Sequence, residues 1–599
     1  MSLPSLKQSI DRLWQKLSKR RRRQLLLVAL VMLVGAFVDV FSLGAVFPFI
    51  SILTAPETVF SMPMVRNVAG SLGITRADQL VFPLTLIFII ATLLAGAFRL
   101  LVLWANYRIA FAVGHDLSDL VYQSTLYQPY HVHVSRNSSE VISGVGKVDA
   151  AITTLSHVLT MANATLVSLV ILATLVVIKP VVAGLTLLGF GLCYALVAWV
   201  TRRRLYENSQ CVALETTRRI KVLQEGLGGI REVLLSGSQL FYVDVFCRSD
   251  WSLRHAQGIN TFLGSCSRSA FEALGMVLIA LLAYGLSLQT GGLVSALPLL
   301  GALALGAQRL LPALQQIYGA WAGILGQQAT LNDALALIEQ PLPEEAFLPP
   351  PVPLDFRDAI QFENVFFRYT MDGPWVVHDI NLRIPKGSRV GFVGSTGCGK
   401  STTLDLLMGL LLPTSGRIVV DGSHLHGENL RAWRRNIAHV PQSIFLADTT
   451  LAENIAFGEP PEAIDMERVR QAARQAHLDE FIESNPKGYS ALIGERGVRL
   501  SGGQRQRLGI ARALYKQAAV LLFDEATNAL DNTTERDVMD AIEGLGRNLT
   551  ILIIAHRLST VKSCDMIVQL VQGKIVAQGT YEHLLEQSPT FRSMAEIKG

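Results

Sequence analysis

Apolar residues concentrate in six long runs in the first half of the chain, and polar segments separate these runs. The runs cover roughly residues 25–52, 81–104, 153–178, 181–201, 263–289 and 292–322. Each run reaches the ~20 residues that a helix needs to cross the hydrocarbon core of a bilayer. The pattern therefore predicts six membrane-spanning helices. The alternative, buried helices of a large soluble protein, is disfavoured because the runs are long and poor in charge.

Lysine and arginine are distributed unevenly around the six runs. The cluster Lys19–Arg23 precedes the first run, and Arg202–Arg204 follows the fourth. The segments on the opposite side carry only Arg66, Arg76 and Lys179. Because basic residues favour the cytoplasmic side of a membrane, we expect a cytoplasmic N-terminus. Six spans then return the C-terminus to the cytoplasm.

The segment between the first two runs, residues 53–80, has apolar positions at a helical spacing. These positions predict a short amphipathic helix on the outer membrane surface, with an irregular loop as the alternative. The residues on the apolar face are Phe60, Met64, Val65, Val68 and Leu72.

Composition divides the chain into two domains joined by a linker. Residues 1–338 hold the six runs, 339–355 are rich in proline, and 356–599 have the composition of an ordinary globular domain. The net charge of +5 arises largely from clusters beside the runs, so we expect no nucleic-acid partner. The six cysteines have no CxxC spacing, which predicts neither a disulfide framework nor a zinc site.

A glycine-rich loop follows the buried-strand pattern Val390–Val393 and matches GxxxxGK[ST] at every fixed position. In such a loop the backbone N–H groups surround phosphates, the lysine neutralises β- and γ-phosphate charge, and the last hydroxyl ligates Mg²⁺. The predicted ATP-binding residues here are Gly394, Ser395, Thr396, Gly397, Cys398, Gly399, Lys400, Ser401 and Thr402.

Two acidic residues end a second apolar strand pattern, Val520–Phe523. Asp524 is predicted to hold Mg²⁺, together with Ser401, and Glu525 is placed to polarise the attacking water. Between the two strands a second glycine-rich turn opens a helix at Ser501, Gly502, Gly503 and Gln504. Because the first loop already serves one side of the nucleotide, we expect this turn to bind the γ-phosphate held by a partner subunit.

The turn Leu500-Ser501-Gly502-Gly503-Gln504 resembles the LSGGQ signature of ABC (ATP-binding cassette) transporters. The resemblance implies a multi-domain fold of exporter type IV: an all-α six-helix transmembrane domain and an α/β P-loop NTPase cassette. It also implies ATP and Mg²⁺ as cofactors and a dimer as the working unit. Since the ATP-site residues are all of the types that catalysis needs, a homodimer is favoured over a heterodimer. Asn528 departs from the family pattern, in which serine is commoner.

Other residues of the second domain match family motifs in order and spacing. The resemblance assigns adenine stacking to Tyr369, metal contact and coupling to Gln442, the exporter X-loop to Glu495, the D-loop to Asp531 and the switch position near the γ-phosphate to His556. It also implies that two cytoplasmic turns, Tyr127–Asn137 and Gln224–Ser236, dock on the ATPase domains; plain solvated loops are the alternative.

Four charged residues lie within the apolar runs, where charge is costly and usually functional. They are Asp39, Arg99, Arg268 and Arg309. At 1.5 Å per residue, Arg99 lies roughly 27 Å into a span entered from outside, and Arg309 is about as deep. Three arginines at similar height suit a phosphate or pyrophosphate headgroup. The alternatives are snorkelling to lipid headgroups and, for Arg268, pairing with Glu272 one turn on.

Short segments around these charges resemble the bacterial lipid-linked oligosaccharide flippases of the PglK type. The segments are Phe37–Phe41, Phe47–Ile50, Ala97–Arg99, Ser267–Glu272 and Gln308–Pro312. This resemblance implies a flippase of the bacterial inner membrane, with membrane lipid and a lipid-linked glycan as partners. An exporter of lipid, drug or peptide is the first alternative. A cassette protein that gates or regulates without transport is the second, and the intact catalytic residues argue against it.

Overall fold

The chain forms two compact units, Met1–Gln128 with Arg136–Leu342 and Pro129–Ser135 with Pro343–Gly599. The structure is a computed structural model, and it describes residues 6–54, 60, 76, 79, 81–178, 180–287, 292–343, 348–524, 549–555 and 558–598. The main change from one unit to the other falls inside the proline-rich segment.

The first unit consists of helices joined by short turns in its described residues. Long helices cover the described residues of all six apolar runs and continue well beyond several of them. The helices are α1 (Leu6–Lys16), α2 (Lys19–Thr54), α3 (Val81–Leu126), α5 (Ser138–Gly146), α6 (Val148–Ile178), α7 (Pro180–Gly228), α8 (Ile230–Leu235), α9 (Gln239–Ser287) and α10 (Gly292–Ile338). The short helix α4 (Tyr130–Ser135) belongs to the second unit.

Two stretches of the described residues, Val81–Leu126 and Ser138–Thr174, are long and apolar enough to cross a membrane by length and composition alone. Most of the predicted external helix, residues 53–80, lies outside the described residues. The predicted amphipathic face there stays a prediction.

Helices α2, α3, α6 and α10 share one buried apolar cluster, which includes Met32, Val113 and Leu335. Ion pairs also join α1, α2 and the residue before α6 to other parts of this unit. They join Arg12 to Glu339 (2.6 Å), Arg21 to Asp116 (2.8 Å) and Lys147 to Asp333 (2.6 Å). The hydrogen bond from Arg21 lowers the pKa of the Asp116 carboxyl.

The second unit contains two sheets. A four-stranded antiparallel sheet has the order β2-β1-β4-β5, and a six-stranded sheet has the order β10-β9-β3-β8-β7-β6. The strands are β1 (Ala359–Phe367), β2 (Val377–Pro385), β3 (Arg389–Val393), β4 (Ser415–Val420), β5 (Ser423–His424), β6 (Ile437–Val440), β7 (Val520–Asp524), β8 (Thr550–Ile554), β9 (Met566–Val571) and β10 (Lys574–Gly579).

Helices cover the larger sheet. Strands β3, β7 and β8 are almost fully buried, as expected for parallel strands with both faces covered. The helices are α11 (Lys400–Leu407), α12 (Gly427–Arg435), α13 (Leu451–Ile455), α14 (Met466–Gln475), α15 (Asp479–Ser484), α16 (Gly502–Tyr515), α17 (Tyr581–Gln587) and α18 (Pro589–Lys598), with 3₁₀ turns at Pro461–Ala463, Gly488–Ser490, Glu495–Gly497 and Leu558–Val561.

Candidate nucleotide site and membrane charges

The predicted ATP-binding segments leave the larger sheet at one edge. Strands β3, β8, β7 and β6 are parallel neighbours, and Phe392 and Asp524 both pair with Ile554 of the strand between them. The loop at Gly394 follows β3 directly, and Gln442 lies two residues beyond β6. The topology therefore brings the P-loop, Asp524 and the segment of Gln442 to the same edge, where α/β folds bind nucleotides.

The P-loop has a backbone that only glycine can follow at its critical turn. Gly399 has φ +97°, and a Cβ there would lie 2.8 Å from the carbonyl oxygen of Val376. This residue is also the N-cap of α11, whose first turn exposes backbone N–H groups to the loop. The loop thus wraps a helix N-terminus in the way that suits a bound phosphate.

The Lys400 ammonium lies inside this loop, and the residue as a whole is only 6% exposed. Its Nζ donates hydrogen bonds to the carbonyl oxygens of Gly394 and Ser395, each at 3.0 Å. These acceptors are neutral, so they satisfy the donors without cancelling the charge. A buried cation is costly until an anion compensates it, and a phosphate at the loop would do so. The residues present therefore fit the triphosphate of ATP.

An acid that the sequence reasoning missed, Asp405, lies one helical turn beyond Ser401 on α11. Burial raises the pKa of the Asp405 carboxyl to about 6, and the nearby charge of Asp524 adds to the effect. The two carboxyl groups therefore lie close enough to interact, on the side of the P-loop helix that carries Ser401. The i, i+4 spacing from Ser401 was the sequence signal that could have revealed this acid. Ser401, Asp524 and Gln442 stay the proposed residues for Mg²⁺.

Tyr369, the predicted adenine-stacking residue, lies beside the P-loop helix. Its hydroxyl is 3.3 Å from the hydroxyl of Thr402, and its ring meets the edge of Phe367 at 5.0 Å. The side chain is still 53% exposed, which leaves a ring face open to a base.

The signature turn forms a complete capping box at the start of α16. Ser501 Oγ accepts from the backbone N–H of Gln504 (3.2 Å), and the Gln504 side chain accepts from the backbone N–H of Ser501 (2.8 Å). Ser501 is exposed, and the N–H groups of Gly502 and Gly503 lie in the first turn, where no intrahelical acceptor exists. The geometry suits an anion that approaches from outside this chain. Gln504 itself serves as the reciprocal cap.

Several predicted residues lie outside the described residues. These are Glu525, Asn528, Asp531 and His556. Their roles stay predictions, although Glu525 follows Asp524 directly and His556 comes two residues after the end of β8. Glu495 is described and opens the 3₁₀ turn Glu495–Gly497, five residues before the signature.

The membrane charge Arg99 is paired. Its Nε donates to Asp39 Oδ1 at 2.6 Å, which joins α3 to α2. The Arg99 side chain is 45% exposed and that of Asp39 20%. Arg99 thus has part of its charge compensated, which the prediction of three equivalent arginines did not anticipate. The side chains of Arg268 and Arg309 lie outside the described ones, although their backbones belong to α9 and α10.

The two predicted docking turns differ in their surroundings. Pro129–Ser135 clusters with the cassette residues, and burial together with the charge of Asp405 raises the pKa of Tyr130. The second turn, by contrast, exposes much of its apolar surface. Ile230, Leu234 and Leu235 are 46%, 60% and 75% exposed.

These features define a P-loop ATPase cassette joined to a helical membrane unit, the organisation of an ABC half-transporter. The family model for the ABC transporter matches residues 377–528. The chain superimposes on a solved bacterial Atm1-family ABC exporter with ATP bound, with a TM-score of 0.79. The two share 24% identity, and the match covers 96% of this chain and 98% of that one. The exporter fold predicted from the signature is confirmed.

Curated relatives extend the similarity. The chain is 35% identical over 420 residues to an ATP-dependent lipid A-core flippase of Alkalilimnicola ehrlichii, covering 68% of this chain and 69% of the relative. It is 45% identical over 243 residues to the flippase of that name from Ralstonia nicotianae, covering 40% and 41%. The chain belongs to the ABC transporter family, and it is an ATP-hydrolysing membrane transporter.

Proposed function

We propose that this chain works as a homodimer that uses ATP to flip a phosphate-bearing amphiphilic lipid across the bacterial inner membrane, towards the outer leaflet. The observation that carries the proposal is the 35% identity with a lipid A-core flippase over 420 residues. That length exceeds the cassette, so part of the match lies in the membrane unit. The cassette alone would leave the cargo open.

ATP hydrolysis requires the two halves of each nucleotide site to come from different chains. The P-loop with Lys400 supplies one half, and the exposed cap at Ser501 supplies the other. Glu525 acts as the base that polarises the attacking water, and His556 assists at the γ-phosphate. Closure of two identical cassettes on two ATP molecules follows from this arrangement.

Coupling to the membrane uses the two docking turns in different ways. The turn Pro129–Ser135 docks on the cassette of its own chain. The exposed apolar side chains of Ile230, Leu234 and Leu235 form a patch of the kind that binds another protein surface. We assign their cover to the cassette of the partner chain. Disulfide formation between cysteines placed at Leu234 and at Phe457, an exposed ring on the cassette, tests this assignment. Cross-linked dimers support it, and cross-links confined to single chains contradict it.

Two phosphate-bearing glycolipids are candidate cargoes. A polyprenyl-pyrophosphate glycan, that is, a lipid-linked oligosaccharide, is favoured by the arginines at 99, 268 and 309 and by the resemblance of the segments around them. A lipid A-type glycolipid is favoured by the names of the relatives. Both cargoes place phosphate groups next to acyl or prenyl chains, and guanidinium groups bind phosphate with two parallel hydrogen bonds.

The deciding experiment is flipping in proteoliposomes that contain the full chain. The flipping rates of fluorescent lipid-linked oligosaccharide, lipid A-core and a neutral phospholipid are compared. The variant Lys400→Ala, which lacks the P-loop lysine, controls for movement that does not depend on ATP. We expect ATP-dependent movement of one phosphate-bearing lipid. Neutral variants at Arg268 and Arg309 should abolish this movement while basal ATPase is retained. Equal flipping of all three lipids, or normal flipping by the double variant, would overturn the cargo assignment.

A further inference from the structure

We infer that α6, α7 and α10 form a binding site for one acyl chain of an anionic phospholipid resident in the bilayer, with its headgroup at Arg202. The inference rests on these helices crossing a membrane and on the proposed cytoplasmic N-terminus; on α10 the wall begins at Leu310, the residue after Arg309. It starts from an apolar cavity of about 460 Å³ between the three helices.

The lining of the cavity is almost entirely apolar. Leu169 and Leu172 of α6, Ala195 and Ala198 of α7, and Leu314 and Ile317 of α10 contribute to the walls. Water does not fill such a cavity within a bilayer, because apolar cavities stay dry. Its occupant is therefore a hydrocarbon.

The size of the cavity fits a single chain. A cavity of ~150 Å³ holds one benzene, so 460 Å³ corresponds to about eighteen carbon atoms. The lining of α6 extends from Met161 to Leu172, which is about 16 Å at 1.5 Å per residue. An α-helix ~10 Å wide and 16 Å long would fill roughly 1,200 Å³. A helix from a second copy is thus too large, and a multi-chain glycolipid would not enter as a whole.

One end of the cavity carries a matched positive charge. On α7, Gly191, Ala195, Ala198 and Arg202 follow at i, i+4, i+7 and i+11, and so lie on one face of the helix. Arg202 is about 6 Å beyond Ala198, at the end of the apolar run. It is exposed, and among the described residues it makes no hydrogen bond or ion pair. Its neighbour Arg203 pairs with Glu207 at 2.9 Å.

This arrangement matches the two parts of a phospholipid. A cation at the leaflet boundary attracts an anionic headgroup, and the adjoining cavity takes the chain. In the proposed topology the boundary faces the cytoplasm. The occupant is thus an inner-leaflet anionic lipid such as phosphatidylglycerol.

The test is native mass spectrometry of the full-length protein in detergent, titrated separately with phosphatidylglycerol and phosphatidylcholine of equal chain length. We expect one tightly retained phosphatidylglycerol per chain. Arg202→Gln should lower the affinity for phosphatidylglycerol about fivefold, or ~1 kcal/mol for one basic residue, and leave the affinity for phosphatidylcholine unchanged. Gly191→Leu should lower the affinity for both lipids, because the new side chain occupies open space in the cavity that the acyl chain would fill.

Two control variants make the same kinds of substitution, Arg→Gln and Gly→Leu, on α7 but outside the proposed lipid site. Arg204→Gln removes an exposed charge on the opposite face of α7, and Gly184→Leu adds a side chain into open space about 10 Å from Gly191. Both should bind lipid like the unmodified protein. The inference would be overturned if the protein retained no phosphatidylglycerol, or if the Arg202 and Arg204 variants lost phosphatidylglycerol binding equally. Unchanged lipid binding in Gly191→Leu would overturn it as well. Because Arg202→Gln alters only an exposed side chain, it keeps the test decisive even if Gly191→Leu folds poorly.

Discussion

Ser501 has two roles in the proposed mechanism, and substitutions can separate them. Its hydroxyl caps α16, and the same hydroxyl is proposed to bind the γ-phosphate held by a partner chain. Ser501→Ala removes both interactions. Ser501→Asp keeps the cap, because aspartate ranks with serine at this position and its charge suits the helix dipole. It also places a carboxylate where the phosphate would bind.

The expected magnitudes differ for the two variants. Loss of the cap in Ser501→Ala costs about 1 kcal/mol, and in a domain of this size that lowers the melting temperature by roughly 2–4 °C. Ser501→Asp should melt at or slightly above the unmodified temperature. Its ATPase rate should fall at least about a hundredfold, since juxtaposed like charges cost several kcal/mol.

The assay pairs thermal unfolding of the full chain in detergent with its ATPase rate. Thr450 provides a matched control because it closes a second capping box, with Glu453 at the start of α13. Thr450→Ala should lower the melting temperature to a similar extent while the ATPase rate per folded chain is retained. An active Ser501→Asp variant would refute the placement of Ser501 at the phosphate.

Three further predictions follow from individual side chains. Glu525→Gln should trap an ATP-bound dimer with little hydrolysis, seen by size-exclusion chromatography, and unchanged turnover would refute the assigned base. The pKa of Asp405 in the folded protein is raised to about 6, so its carboxyl binds a proton more tightly in the folded state than in the unfolded state. Its contribution to the free energy of unfolding therefore falls as the pH rises from about 4 to 6. Asp405→Asn should therefore raise the melting temperature above pH 6 and have a smaller effect near pH 4; a pH-independent difference would contradict this. Arg99→Ala should destabilise the detergent-extracted protein by leaving Asp39 unpaired, and the double variant with Asp39→Ala should recover part of the loss; identical melting of Arg99→Ala and the unmodified protein would argue that the pair contributes nothing.

Hydropathy predicted the helices but not their lengths. The run at 81–104 lies within α3, which continues to Leu126, and the run at 181–201 lies within α7, which continues to Gly228. An apolar run records only the part of a helix that a bilayer would cover. Beyond it the helix continues through polar residues, whose pattern carries no such simple signal.

Local chemistry was readable in the sequence wherever the interacting residues are neighbours. The P-loop glycines, Lys400 and the Ser501–Gln504 cap lie within a few residues of one another, and their spacing dictates the geometry. Tertiary structure decided which distant groups meet. Arg99 pairs with Asp39 sixty residues away, and Asp405 interacts with Asp524. The apolar cavity above Arg202 exists only because three helices leave a gap that no single helix pattern encodes. Such contacts depend on how helices and strands pack, and packing is a property of the whole fold.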